Sequence, residues 1–308
     1  MIETNKVYKM EAIELLKQLP DNSVDLVLTD PPYNMTACEW DKPIDFQELW
    51  KELKRVGKEN CAFVFTASQP FTTDLINSNR EMFKYEIIWC KGKGSNFALV
   101  KKQPLKIHEN IIVFQNKMNY NPQMEKVKGK IRDQKKEVEE REWRGANRPS
   151  DINYFKRIKY SDDYNPEVTY PKSILYFPNH LEKHYKLHPT QKPTSLFEWL
   201  IKSYSNENQL VLDCFVGSGT TAVASKKLNR NFICSDINEE YVRIANSRLS
   251  ETAPVVTLAS PTFPTEKAIN RNLQVTPSAS PKEATLPSVN SDIKSNFGIA
   301  LQDWSNSQ

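Results

Sequence analysis

Asp30-Pro31-Pro32-Tyr33, continued by Asn34, follows an apolar run and joins a carboxylate, an aromatic ring and a stiff backbone. A nitrogen attached to an aromatic ring is a poor nucleophile, because its lone pair is delocalised. A carboxylate that accepts one N–H and a carbonyl that accepts the other draw it toward tetrahedral geometry. The lone pair is then free to attack an electrophilic methyl. Asp30 can be the first acceptor and the Pro31 carbonyl the second, fixed in place before charge develops in the transition state. Pro31 and Pro32 remove N–H donors and restrict φ, and Tyr33 offers a flat face for an extruded base. The alternative is an ordinary strand-end turn, for which Asp-Pro is a common pair.

A second constellation runs from Leu212 to Thr221, LDCFVGSGTT. A strand, a glycine turn and a helix start make a nucleotide-type cradle. Gly217 and Gly219 let the backbone approach a ligand closely, and the helix N-terminus favours a carboxylate. Asp236 follows Asp213 by 23 positions and closes the next strand, where it can bond ribose hydroxyls. The third glycine of the dinucleotide pattern is absent.

A third segment, His188-Pro189-Thr190-Gln191-Lys192-Pro193, precedes a helix. His180, His184 and His188 recur every four residues, a spacing that could suggest a metal. Pro178 and Pro189 bracket them and no carboxylate or thiol ligand stands out nearby, so no metal is expected.

These segments need strands and helices to hold them. Apolar spacing predicts a helix over Met10–Leu19 and a buried strand over Val24–Thr29, so Asp30 sits at a carboxyl tip. A helix over Asp45–Val56, a strand over Cys61–Thr66, a helix over Phe71–Ser78 and strands over Tyr85–Cys90 and Ile111–Gln115 follow. Later come a helix over Ser195–Ser205, a strand over Leu210–Cys214 and a helix over Thr220–Leu228. A strand over Asn231–Ser235 and a helix over Glu239–Leu249 complete the series. The alternation predicts an α/β fold with a parallel or mostly parallel sheet and helices on both faces. Ligands of such sheets gather at the carboxyl ends of the strands.

The chain divides into residues 1–115, the catalytic half, 116–172, a polar and highly charged insertion read as carrying target recognition, 173–250, the cofactor half, and 251–308. The insertion's run KGKIRDQKKEVEEREWRG could equally be a solvated helix. The Pro/Ser/Thr-rich end reads as a disordered tail, with a short element near Phe297–Trp304 able to dock on the body or a partner. The 308 residues suffice for one large domain or two modest ones, and the net charge of +4 alone does not diagnose a nucleic-acid partner. Five cysteines, Cys38, Cys61, Cys90, Cys214 and Cys234, lack paired spacing, which fits a reducing cytoplasm. No apolar run approaches the roughly 20 residues of a membrane span, and the N-terminus lacks a signal-peptide core.

Together and in this order, the motifs over Lys6–Leu249 resemble the β-class DNA amino-methyltransferases. That family places Asp-Pro-Pro-Tyr first, then target recognition, then His-Pro-Thr-Gln-Lys-Pro and Phe-x-Gly-x-Gly. The resemblance implies a Rossmann-like sheet that binds S-adenosylmethionine. It sets Asp213, Phe215, Gly217, Ser218, Gly219 and Thr220 along the methionine end, Asp236 on the ribose, and Thr190 and Lys192 on the cofactor-side wall. Glu11-Ala12 stands where the family often has Asp-Cys near the cofactor's adenine, so Glu11 is a candidate with a longer reach. Cys214 replaces a common Pro. The substrate implied is double-stranded DNA in a bacterial or phage-infected cytoplasm. The resemblance also allows a homodimer and a cognate restriction endonuclease as partners.

Asp30 favours adenine N6, since cytosine-N4 enzymes of this kind often carry Ser there. A cytosine-N4 enzyme is the alternative; a non-catalytic DNA-binding regulator and an RNA methyltransferase rank below it. Lys91–Lys106 holds five lysines and no acid, so Lys91, Lys93, Lys101 and Lys102 are candidates for DNA phosphates, against a solvated loop. Arg141, Trp143, Arg144, Arg148, Tyr154 and Arg157 are of the types that read base edges or fill the gap left by a flipped base, with Arg144 and Arg148 as candidates.

Overall fold

The computed structural model describes residues 2–34, 43–94, 96–127, 165–178 and 191–252. Its strands are β1 (Lys6–Lys9), β2 (Val24–Thr29), β3 (Gly57–Ala67), β4 (Phe83–Cys90), β5 (His108–Gln115), β6 (Glu125–Lys126), β7 (Val168–Thr169), β8 (Ile174–Tyr176), β9 (Leu210–Asp213) and β10 (Asn231–Asp236). Its helices are α1 (Ala12–Lys17), α2 (Phe46–Val56), α3 (Phe71–Ser78), α4 (Thr194–Tyr204), α5 (Thr220–Lys227) and α6 (Glu239–Glu251).

Eight strands form one sheet in the order β1-β10-β9-β2-β3-β5-β4-β8. Only β5 runs against the others, pairing antiparallel with both β3 and β4. The mostly parallel sheet expected from the β/α alternation is therefore present.

β2 explains why both faces carry helices. It is buried along its whole length, and its side chains point alternately to opposite sides. Leu26 and Leu28 pack in the cluster that holds Leu196, Phe197, Leu200 and Tyr204 of α4. Val27 packs in the cluster fed by Leu15 and Leu16 of α1, Leu49 and Trp50 of α2, and Leu75 of α3. Within it the Trp50 ring meets Phe63, Phe65 and Phe114 edge-on at centroid distances of 5.9, 5.3 and 4.9 Å. Each such contact adds about 0.5–1.5 kcal/mol beyond burial.

Several boundaries differ from the sequence expectation. The first helix shrinks to Ala12–Lys17, because the Glu11 side chain accepts from the Ile13 and Glu14 N–H groups and so caps it there. β3 starts at Gly57, directly after α2; a Cβ at Gly57 would lie 2.7 Å from the Phe63 ring. β1 is too short and polar to show a period, yet it pairs with β10 from Lys6 to Lys9. Of the insertion, the described ends form the antiparallel β6–β7 pair. The Asn121 N–H donates to the Ser203 carbonyl at 2.7 Å, tying the segment's start to the end of α4. β8 adds to β4 at the far edge of the sheet. The charged run, the tail beyond Thr252, and Cys38 lie outside the described residues.

The connections fix where a ligand can enter. From β9 the chain passes through α5 to β10 on one side; from β2 it passes through α2 to β3 on the other. β2 and β9 are parallel neighbours, so the crevice beyond their carboxyl ends is a topological switch point.

Candidate functional site

Asp30 leaves the tip of β2 at that crevice, and its carboxylate is held by Tyr33 of its own loop and by groups from two other segments. Tyr33 Oη donates to Asp30 Oδ1 at 2.7 Å, and the Thr66 hydroxyl donates to the same oxygen. Lys192 Nζ donates to Oδ2. No described donor engages the Pro31 carbonyl. Thr66 comes from the end of β3. Glu109 comes from the start of β5, and because β5 is reversed that start lies at the same edge as the carboxyl ends of its neighbours. Glu109 Oε1 lies 3.0 Å from Lys91 Nζ, and Glu109 Oε2 lies 3.6 Å from Lys192 Nζ.

Burial works against the Lys192 charge, but Asp30 and Glu109 hold its pKa above the ordinary lysine value. The Tyr33 phenol is pushed well up, first by burial and then by the Asp30 and Glu109 charges. The Tyr33 ring stacks on Phe71 at 5.1 Å, and the Lys192 ammonium stands 5.7 Å from its centroid. Tyr33 thus orients Asp30 as well as offering a ring.

The cofactor-type cradle stands beside this cluster. Asp213, at the end of β9, is buried and accepts from the Thr29 and Thr221 hydroxyls and from the Phe215 N–H at 3.0 Å. Burial pushes its carboxyl up to about 7 against the pull of these donors. The carboxylate therefore shapes the loop and ties it to β2 through Thr29. Gly217 has φ +51°, and its N–H donates to Asp236 Oδ2 at 2.9 Å. The Asn238 N–H donates to Asp236 Oδ1 at 2.8 Å. Each oxygen keeps a lone pair for a further donor. Burial raises the Asp236 pKa, while these two N–H groups lower it.

Gly219 also answers to packing. Its φ is +87°, and a Cβ there would lie 2.7 Å from the Ala245 Cβ. Gly219 is needed for the approach of α6, and it is absent from the cavity wall. Arg248, also on α6, is buried and donates to the Ser218 carbonyl at 2.6 Å and to Ser218 Oγ at 3.2 Å. It also reaches Thr194 Oγ1 of α4 at 3.4 Å, strapping the glycine loop to the body.

Both clusters open into one cavity of about 1650 Å³. A pocket for one drug-sized ligand is about 300–1,000 Å³, so there is room for two reactants side by side. Asp30, Pro31, Pro32, Tyr33, Glu11, Lys192, Asp213, Phe215, Gly217, Ser218, Thr220 and Asp236 all line it. Thr190 lies outside the described residues. Lys192, expected on the cofactor-side wall, directs its ammonium to Asp30, while its carbonyl faces Thr220 Oγ1 at 3.4 Å. Glu11 lines the wall with one oxygen already engaged in capping α1.

The basic loop is also divided. Lys93, Lys101 and Lys102 are exposed, with Phe97 65% exposed between them. Lys91 is buried against Glu109, so its expected role on phosphates gives way to one in the charge cluster. Arg144 and Arg148, with Arg141, Trp143, Tyr154 and Arg157 and the three spaced histidines, lie outside the described residues. Sequence reasoning missed Thr66, Glu109 and Arg248. The available signals were a Thr closing an apolar strand, a Glu opening one, and an Arg on a helix otherwise read as amphipathic.

The residues present fit S-adenosylmethionine. Asp236 has acceptor capacity left for vicinal hydroxyls, and Phe215 and Ile237 give apolar walls. The first turn of α5 has no side-chain cap, leaving N–H groups for a carboxylate.

A mostly parallel sheet with a glycine cradle and an amine-acceptor loop meeting at its switch point defines a Rossmann-like, cofactor-dependent methyltransferase. Residues 24–247 match the DNA methylase family of N6/N4 type, and the chain belongs to that family. It is 31% identical to the Type II methyltransferase M1.MboII of Moraxella bovis, over 82% of this chain and 98% of the relative. It is 30% identical to the DNA adenine methyltransferase YhdJ of Escherichia coli K12, over 80% of this chain and 83% of that one. The crystal structure of an M1.HpyAVI–S-adenosylmethionine complex is 27% identical, with a TM-score of 0.50 over 79% of this chain and 98% of the other. The protein is an S-adenosylmethionine-dependent DNA amino-methyltransferase, acting at adenine N6 or cytosine N4.

Proposed function

We propose that the chain methylates adenine N6 in double-stranded DNA after extruding the base into the cavity. The observation that carries this reading is a carboxylate, Asp30, facing the cavity with the Pro31 carbonyl beside it. Two acceptors match the two hydrogens of an exocyclic amine, and a carboxylate at position 30, where cytosine-N4 enzymes of this kind often carry Ser, favours adenine. The relative YhdJ, described as a DNA adenine methyltransferase, supports the choice. The Type II relatives support a restriction-modification setting.

When bound, S-adenosylmethionine supplies an electrophilic methyl group. Asp236 would take the ribose hydroxyls, Gly217, Ser218 and Thr220 the methionine end, and Glu11 the adenine edge. Phe215 excludes water from the side of the cradle. Asp30 and the Pro31 carbonyl orient the amine, and Asp30 is placed to receive its proton. The decisive measurement is mass spectrometry of nucleosides from DNA methylated by the purified chain. N6-methyladenine is the expected product; N4-methylcytosine alone would reverse the choice of base.

Lys93, Lys101 and Lys102 take DNA phosphates in this reading. The double variant Lys101→Ala/Lys102→Ala should weaken DNA binding at low salt. The slope of log K against log salt should become shallower by about 2, near 0.9 per lost phosphate contact. An unchanged slope would remove these lysines from the interface.

A further inference from the structure

Glu109 and its partner Lys91 are members of the charge cluster to which neither the acceptor loop nor the cofactor cradle gives a task. Glu109 lies at the start of β5, and its two carboxylate oxygens face two lysines. Oε1 takes Lys91 at 3.0 Å, while Oε2 is buried and stands 3.6 Å from Lys192, beyond ordinary hydrogen-bonding distance. Lys192 in turn donates to Asp30 Oδ2, while Tyr33 and Thr66 both occupy Oδ1. An incoming amine must therefore share Oδ2 with Lys192 or displace it. Leaving a displaced ammonium buried without a partner would be costly. Oε2 of Glu109 is within one small movement of it.

We propose that Glu109 is a positioning residue for methyl transfer, holding Lys192 beside Asp30 and taking over its ammonium when the target amine claims Oδ2. This rests on the reading of Asp30 as the amine acceptor. The handover frees the acceptor oxygen at the moment it is needed and keeps the ammonium paired within the cluster. It also gives Lys91 a purpose: it anchors Glu109, so that the carboxylate stays in place while Lys192 moves.

The charged and titratable groups that face Lys192 are Asp30 and Tyr33 on the loop after β2 and Glu109 on β5, and Glu109 in turn faces Lys91 and Lys106 on the loop after β4. Removing the Glu109 charge leaves Lys192 with one carboxylate, so its ammonium should deprotonate at lower pH.

The test is Glu109→Gln in the full chain, assayed with duplex DNA and S-adenosylmethionine. Expected is a kcat lower by roughly tenfold to a hundredfold, the range that small misplacement of reacting groups produces. The dissociation constants for cofactor and DNA should stay at parent values, and the alkaline limb of kcat against pH should move to lower pH. In a Lys192→Met background, Glu109→Gln should cause no further loss, because Glu109 acts through Lys192. Parent kcat with an unmoved alkaline limb would overturn the inference, as would an equal loss in both backgrounds. If Glu109→Gln does not fold, Glu109→Asp is read in its place. It keeps the charge but withdraws it by one methylene, and it should show the same displacement of the limb in smaller degree. Asp30→Ala is run in parallel. An active Asp30→Ala removes the acceptor reading itself, whereas an inactive one beside a parent-like Glu109→Gln removes only the handover.

Discussion

Asp30→Ala should abolish methyl transfer while leaving the cofactor affinity at its parent value. Its carboxylate is one of two acceptors for the amine, and losing one preorganised transition-state partner costs about 10²–10³ in rate. The loss here should reach at least that range, because Lys192 is left beside the amine with no carboxylate between them. Cofactor binding should survive because the glycine cradle is held independently, by Asp236 on one side and Arg248 on the other. Single-turnover kinetics and calorimetry on the same preparation separate the two effects. Turnover within about tenfold of the parent, only 1.4 kcal/mol in barrier, would remove Asp30 from the reaction centre.

Asp236→Asn should do the reverse. The change is nearly isosteric, yet the two oxygens now face two backbone N–H groups, from Gly217 and Asn238. An amide has one acceptor, so its NH₂ must point at one of these donors. A hydrogen bond to a charged group contributes about 1.5–3 kcal/mol, and here one is lost while a ribose acceptor is lost with it. The dissociation constant for S-adenosylmethionine should rise by about tenfold to a hundredfold. The kcat at saturating cofactor should stay near parent. Unchanged affinity by calorimetry would confine Asp236 to holding the loop.

Much of this could be seen in the chain before the fold was known. Asp30 stood out because two prolines cannot continue a ladder, so its place at a strand tip followed from local chemistry. The cradle was visible for the same reason: glycines, a preceding carboxylate and a following one are all local. What was hidden depends on strand order. Thr66 and Glu109 lie 36 and 79 positions beyond Asp30, and nothing in their neighbours announces a common site. They meet it because β3 lies beside β2 and β5 runs backward beside β3. Gly219 carries a second constraint that its motif did not show. Its motif position implied ligand contact, and the further constraint is the Ala245 Cβ on α6. Lys91 misled because burial cannot be read from a lysine-rich run.

The bond between Thr29 and Asp213 joins halves of the reaction centre that are 184 residues apart along the chain. The entropy of closing so long a loop rises only logarithmically, by about 0.6 kcal/mol for each doubling of length. Lengthening, shortening or replacing the stretch between β7 and the end of β5 thus costs the β2–β9 seam almost nothing. Chain length between the two loops can therefore vary while the seam that holds them together is kept.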